Sequence, residues 1–191
     1  ALCCGKRALS DGVAMDEMAR SVSGMLQAAA SSRSAGDYSK AERLYRTALH
    51  QDPANASALH GLGSMAIEMR QLDKAVSFIS EAIKLDPTNA DFHSDIGTAF
   101  MALGRHSKSI EHLRVALQQC PCDWQLHFNL GNSLQACGDL QGACQEYRLA
   151  LSENPKSVEV HANLALVLLD RKERTEAIRH LQTAFGLAPT S

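Results

Sequence analysis

The sequence has no surplus of positive charge, no long apolar run and no cysteine pair at the spacing of a metal or redox motif. Nineteen Lys and Arg stand against twenty-one Asp and Glu over 191 residues, a formal net charge of −2. That leaves little basic surface to neutralise a phosphate backbone, and nucleic acid is excluded as the expected partner. No apolar stretch approaches the ~20 residues that span a bilayer, and the opening Ala-Leu-Cys-Cys is too short for a signal-peptide core. No membrane span is expected. The six cysteines, at 3, 4, 120, 122, 137 and 144, never take the C-x-x-C spacing of a zinc knuckle or a thioredoxin-like pair. Scattered thiols of this kind suit a reducing compartment and point to a cytoplasmic location. A nucleophile elbow, a phosphate-cradling loop and an H-E-x-x-H zinc motif are missing as well. The chain is therefore expected to be no enzyme and to carry no metal or cofactor.

Proline is scarce, and its placement organises the chain. The five prolines stand at 53, 87, 121, 155 and 189, each 34 residues from the next, which marks an internal repeat. Aligned on them, the units are 22–55, 56–89, 90–123, 124–157 and 158–191. Counted from the first residue of each unit, position 27 is always Ala, and position 20 is Ala41, Ala75, Ser109, Ala143 and Ala177. Position 24 is always large, as Tyr45, Ile79, Leu113, Tyr147 and Leu181. At about 100° per residue, positions 4, 7, 8 and 11 share one side of a helix, and positions 20, 24 and 27 share one side of a second. Each unit is thus two helices. A turn such as Gly138-Asp139-Leu140 joins them, and the proline near position 32 ends the second. Gly131, on the packed side, is expected to let the two helices approach closely.

These units resemble the tetratricopeptide repeat (TPR) family, whose 34-residue helix–turn–helix is marked by large, Leu, Gly, aromatic, Ala, aromatic, Ala and Pro positions. The fourth unit carries nearly the whole signature in Leu130, Gly131, Gly138, Ala143, Tyr147, Ala150 and Pro155. The first is weakest, with Ala28, Ala29 and Ser32 at signature positions. The resemblance covers residues 22–191 and implies an all-α solenoid, a right-handed superhelix of helix–turn–helix units. Residues 1–12 show no helical period and read as a flexible arm. Over 13–21 the stripe of Met15 and Met18 continues through Val22 and Met25, as in an amphipathic helix running into the first unit. The sequence begins without Met, as a processed product or a piece of a longer chain would. The repeats run to its last residue, so either further chain or another subunit is expected to cover that end.

On each first helix, positions 2, 5, 6, 9, 12 and 13 lie opposite the packed stripe. In this family they line the concave face, which the resemblance implies is a binding groove. In the fourth unit they include Gln125, Phe128, Asn129, Asn132 and Gln135. The fifth supplies Glu159, Asn163, Leu166 and Asp170, the third Asp91, Asp95 and Met101, and the second His60, Ser64 and Glu68. Asn is a mediocre helix former carrying donor and acceptor together, so several on one exposed face suggest pairing with peptide backbone. Asn129 and Asn163 fall at the same position one repeat apart, an arrangement similar to the groove asparagines of the O-GlcNAc transferase TPR region. Gln27, Gly61 and Asp95 interrupt it in the other units. Acidic residues outnumber Arg33, the face's strong cation, so an acidic ligand is not expected. His93, His127 and His161 also recur every 34 residues. Helices ~8–10 Å apart cannot bring equivalent imidazoles to ~2 Å from one metal, and these histidines read as substitutes for a large, partly buried residue.

The expected function is a scaffold or adaptor that binds a peptide or protein segment in the concave face. Two alternatives stand beside it: the substrate-selecting TPR region of a larger enzyme such as a glycosyltransferase, and a self-assembling scaffold like the magnetosome-associated TPR proteins. For self-association the candidate contacts are Lys6, Arg7, Met15, Met18 and Met25.

Overall fold

The computed structural model describes residues 21–188. The arm expected over 1–12, and with it Lys6 and Arg7, lies outside them, as do Met15 and Met18 of the extension over 13–21. Ten α-helices make up the described residues, which contain no strand. They are α1 (Val22–Ser34), α2 (Tyr38–Gln51), α3 (Ala56–Glu68), α4 (Leu72–Leu85), α5 (Ala90–Ala102), α6 (His106–Gln119), α7 (Trp124–Ala136), α8 (Leu140–Glu153), α9 (Val158–Asp170) and α10 (Arg174–Leu187). The chain divides into two compact units between Pro87 and Thr88, the first holding α1–α4 and the second α5–α10.

Local chemistry sets the helix boundaries. Asn55, Asp123 and Ser157 sit in extended geometry before α3, α7 and α9, and their side chains accept from Ala58, Gln125 and Val160 backbone N–H groups. Ser21 does the same for α1, with φ −71° and ψ 148° and its hydroxyl 3.1 Å from the Gly24 nitrogen. This corrects the expected unbroken helix from residue 13: Ser21 is an extended cap, and α1 begins at Val22. The weak first unit nonetheless forms a full first helix, with Ser32 buried where the family has an aromatic. At the turn within each repeat, Gly36, Gly104 and Gly138 take φ between 70° and 83°, and Arg70 and Lys172 hold the same left-handed position at 60° and 66°.

The two helices of a repeat pack through the predicted small-against-large pairs. A Cβ added at Gly97 would stand 2.9 Å from Leu113 Cγ, and one at Gly131 would stand 2.6 Å from Tyr147 Cε1, so only glycine admits that approach. Positions 3 and 10 of the first helices are also buried, as Ala58 and Met65, Phe92 and Ala99, Leu126 and Ser133, and Val160 and Val167. The sequence reading missed this second stripe; within each compact unit it lies where the first helix packs on the second helix of the preceding repeat, α3 on α2, α7 on α6 and α9 on α8. Its clearest pair is Ser109 on α6 and Ser133 on α7, whose buried hydroxyls meet at 2.9 Å. The serine that departs from the family's Ala thus has a partner.

Met25, a candidate self-association contact, is corrected by its place in the first unit's core with Ala29, Ala41, Tyr45 and Leu62. It caps no open surface. Leu181 departs the other way: alone among the residues at position 24 it is exposed, with Ile178 and Phe185 beside it on α10.

Candidate peptide-binding face

In the second unit, the first helices α7 and α9 bring three predicted polar residues, Asn132, Gln135 and Asn163, into one network. Tyr147, on α8 and fully buried at its ring, sends its hydroxyl between them: Asn132 Oδ1 lies at 2.7 Å and Gln135 Oε1 at 2.9 Å. Asn163 Nδ2 donates to the same Asn132 Oδ1 at 2.8 Å. Burial pushes the Tyr147 phenol well above its usual value, so it stays a neutral donor. Among the described residues this leaves Asn132 Nδ2 and Asn163 Oδ1 without partners, a donor and an acceptor on neighbouring helices. Asn129 Nδ2 reaches Thr98 Oγ1 on α5 at 3.5 Å, extending the polar row by one repeat.

Apolar side chains border the row. Phe128 is half-buried with its ring 6.0 Å from that of Tyr147, while Leu166 and Leu169 are 52% and 41% exposed. Such residues are costly to leave in water and suit the edges of a contact surface. Tyr147 and Thr98 were not singled out in the sequence as site residues. The regular placement of position 24 marked Tyr147 as core, and its hydroxyl reaching past the core was the signal available.

The remaining predicted residues divide. Gln125 and Asp91 lie in the first turns of α7 and α5, where their backbone nitrogens serve the caps Asp123 and Asn89. Glu159 Oε2 accepts from the cap Ser157 at 3.1 Å. These three and Asp170 are exposed, whereas Asp95 and Met101 are half-buried. In the first unit, Ser64 is buried on α3 with its hydroxyl 3.2 Å from His60 Nε2, so it faces the protein and not an open groove. Glu68 Oε1 on α3 lies 3.7 Å from Arg33 Nε on α1, and that face's strong cation is thereby neutralised.

The histidine series is structural. His93 Nδ1 meets His112 Nδ1 at 2.9 Å, His127 Nδ1 meets Glu146 Oε2 at 2.6 Å, and His161 Nδ1 meets His180 Nδ1 at 2.8 Å. In each case position 4 of the first helix ties to position 23 of the second. His127 and His161 also reach the Pro121 and Pro155 carbonyls at 3.0 Å through Nε2. A carbonyl only accepts, so Nε2 carries the hydrogen and His161 Nδ1 accepts from His180. Burial, and secondarily the neighbouring imidazole, lower the pKa of His112 and His180. Among the described residues no three His, Cys, Asp or Glu side chains gather so as to hold a metal ion. Nor is any described helix long and apolar enough to cross a membrane.

A family profile for the tetratricopeptide repeat matches residues 26–90, 66–123 and 128–191. Comparison with curated proteins gives no match. Solved structures do match. One is a crystal structure of MamA, at 22% identity and TM-score 0.78 over 83% of this chain and 93% of that one. Another is YrrB, described as a TPR protein with an unusual peptide-binding site, at 20% identity and TM-score 0.81 over 93% and 92%. A third is MamA from Desulfovibrio magneticus RS-1, residues 41 to the end, at 14% identity and TM-score 0.82 over 87% and 94%. At these identities the likeness is one of fold. The profile matches, spread over all five units of helix–turn–helix, show that the chain belongs to the tetratricopeptide repeat family.

Proposed function

We propose that this chain is a protein-interaction scaffold that holds a peptide segment against α7 and α9. The observation that carries the reading is the Tyr147–Asn132–Asn163 network. It fixes both amide orientations, so that a donor on Asn132 and an acceptor on Asn163 face outward together. An extended peptide backbone offers the complementary carbonyl and N–H, while Phe128, Leu166 and Leu169 supply apolar contacts for its side chains. The exposed carboxylates Glu159 and Asp170 favour a neutral or basic ligand over an acidic one. YrrB, with its peptide-binding site, is a fold relative that supports the class of function.

The test is selection from a displayed random-peptide library, followed by affinity measurement on Asn132→Ala and Asn163→Ala proteins. Enriched peptides are expected to lose about tenfold in affinity on either substitution, the scale of a lost hydrogen bond to an otherwise buried partner. Failure to enrich any peptide, or enrichment indifferent to both substitutions, overturns the reading.

A second reading is favoured by α10. Ile178, Leu181 and Phe185 are 52%, 40% and 86% exposed along one side of that helix, and Leu181 and Phe185 border a shallow, open apolar hollow with Val158 and Ala184. A second copy covering this side would make the chain a self-associating scaffold. Light scattering over a wide concentration range, with Phe185→Glu alongside, decides it: a mass that rises with concentration and returns to that of a monomer on substitution supports self-association, and a constant monomer mass removes it.

A further inference from the structure

The first unit holds a pocket on the side formed by its second helices. α3 makes the floor with Leu62, Met65 and Ala66, joined by Met69 just past its end, α2 contributes Arg46 and Glu42, and α4 contributes Lys74 and Phe78. Its volume of about 360 Å³ falls within the ~300–1,000 Å³ of small-molecule sites. The floor is apolar and includes two methionines, the side chains that adapt most readily to a guest. The mouth is charged. Arg46 pairs with Glu42 on its own helix at 2.7 Å, and Lys74 Nζ meets only the neutral Gln71 oxygen at 2.9 Å. Two cations and one carboxylate leave the mouth with one net positive charge.

The pocket has a physical origin, visible in the equivalent seam of the second unit. There Arg148 on α8 stands at the repeat position of Arg46, and Glu176 on α10 at that of Lys74. Arg148 Nη2 and Glu176 Oε1 close the seam at 2.9 Å. Leu168, fully buried, fills the place that Ala66 leaves small, and the buried Cys144 replaces Glu42. In the first unit, by contrast, two cations, Arg46 and Lys74, occupy those positions and the smaller Ala66 lies at the floor.

We propose that the pocket between α2 and α4 is a binding site for a small amphipathic anion, with an aliphatic or aryl body on Leu62, Met65 and Phe78 and a single carboxylate at Lys74 and Arg46. An apolar guest without charge would leave the positive mouth unmatched, and an anion without a chain would leave the methionine floor wet. Both parts of the ligand are therefore required. The site is separate from the amide network on α7 and α9.

Sodium decanoate below its micelle concentration is the probe, with decanol and butyrate as half-ligands, read by calorimetry and by the methionine methyl signals. The expected result is saturable one-site binding that shifts Met65 and Met69 but not Met25 or Met101, with either half-ligand at least about tenfold weaker. Lys74→Glu, which gives the mouth the charge arrangement of the closed seam, is expected to weaken decanoate about tenfold without lowering the unfolding midpoint. Asn163→Ala is expected to change nothing. Absence of saturation, decanol binding as tightly as decanoate, unchanged affinity in Lys74→Glu, or shifts that spare both floor methionines would each overturn the proposal.

Discussion

Arg46 and Arg148 stand at the same position of their repeats, yet only Arg148 finds a partner on the next second helix. Around Arg148 the seam is shut by Glu176 above and by Leu168 and Val167 below. Around Arg46 it is open, with a cavity floored by Met65 and Ala66. Both seams keep the family's small and large positions: Ala41, Tyr45 and Ala48 in one, Ala143, Tyr147 and Ala150 in the other. Those positions build the hairpin of each repeat. How tightly successive hairpins close is decided elsewhere, by positions such as 11, 19 and 21 that the signature leaves unspecified. The two seams share a backbone plan and differ in electrostatics and volume.

Emptying the closed seam should have the largest effect. Leu168→Ala removes a fully buried side chain and recreates the small residue of the open seam, at a cost of about 2–5 kcal/mol. Urea unfolding followed by Trp124, the single tryptophan and a residue of α7, reads it directly. A loss well under that range would mean the neighbours collapse into the gap, and the comparison would then rest on charge alone. Glu176→Lys should cost less, about 1 kcal/mol, because the Arg148–Glu176 pair is partly exposed and screened. Most of its effect should vanish in high salt. A salt-independent loss would show that Glu176 acts through packing.

The repeat period was legible in the sequence because proline and alanine are forced by sterics: no other residue type fits those places as well. Gly131 and the large residue it faces were legible for the same reason. Less could be seen of the surface. That Tyr147 would carry its hydroxyl out of the core to Asn132, or that Ser64 would turn inward, depends on side-chain reach across two helices. The second buried stripe, Leu126 with Ser133 and Val160 with Val167, follows a spacing of seven that the small-residue pattern overshadows. Met25 shows the limit most plainly. Its place in a methionine stripe suggested a docking face, but the helix that carries it starts at Val22 behind the extended cap Ser21, and the core of the first unit takes its side chain.

Acid should separate the two regions further. The first unit has Leu44 and Phe78 at position 23, where the second has His112, Glu146 and His180. The lowered pKa values of His112 and His180 mean that the unfolded chain binds more protons than the folded one, so stability rises with pH. It is complete above the ordinary histidine value near 6.5 and is lost as pH falls from there through the folded values. The groups facing these rings are mixed: His93, Glu111 and Lys108 around His112, and His161, Glu176, Arg148 and Arg179 around His180. The expected result is a lower Trp124 midpoint at about pH 5.5 than at about pH 7.5, narrowed in His112→Phe, His180→Phe protein. An equal drop in that double variant would place the acid response outside the histidine pairs.

The smallest effect should come from repairing the open seam. Lys74→Glu sets a carboxylate against Arg46 at the positions where Glu176 meets Arg148. The gain is expected to be only a few tenths of a kcal/mol, because Arg46 is 67% exposed and already shares Glu42. A double-mutant cycle with Arg46→Gln isolates it: a favourable coupling that fades with salt shows the charges can reach across the seam. A coupling of zero would mean that Ala66 and the methionines, not the like charges, hold the seam apart. Adding Ala66→Leu then discriminates, since filling the cavity should recover about 0.5–2 kcal/mol if volume is the cause.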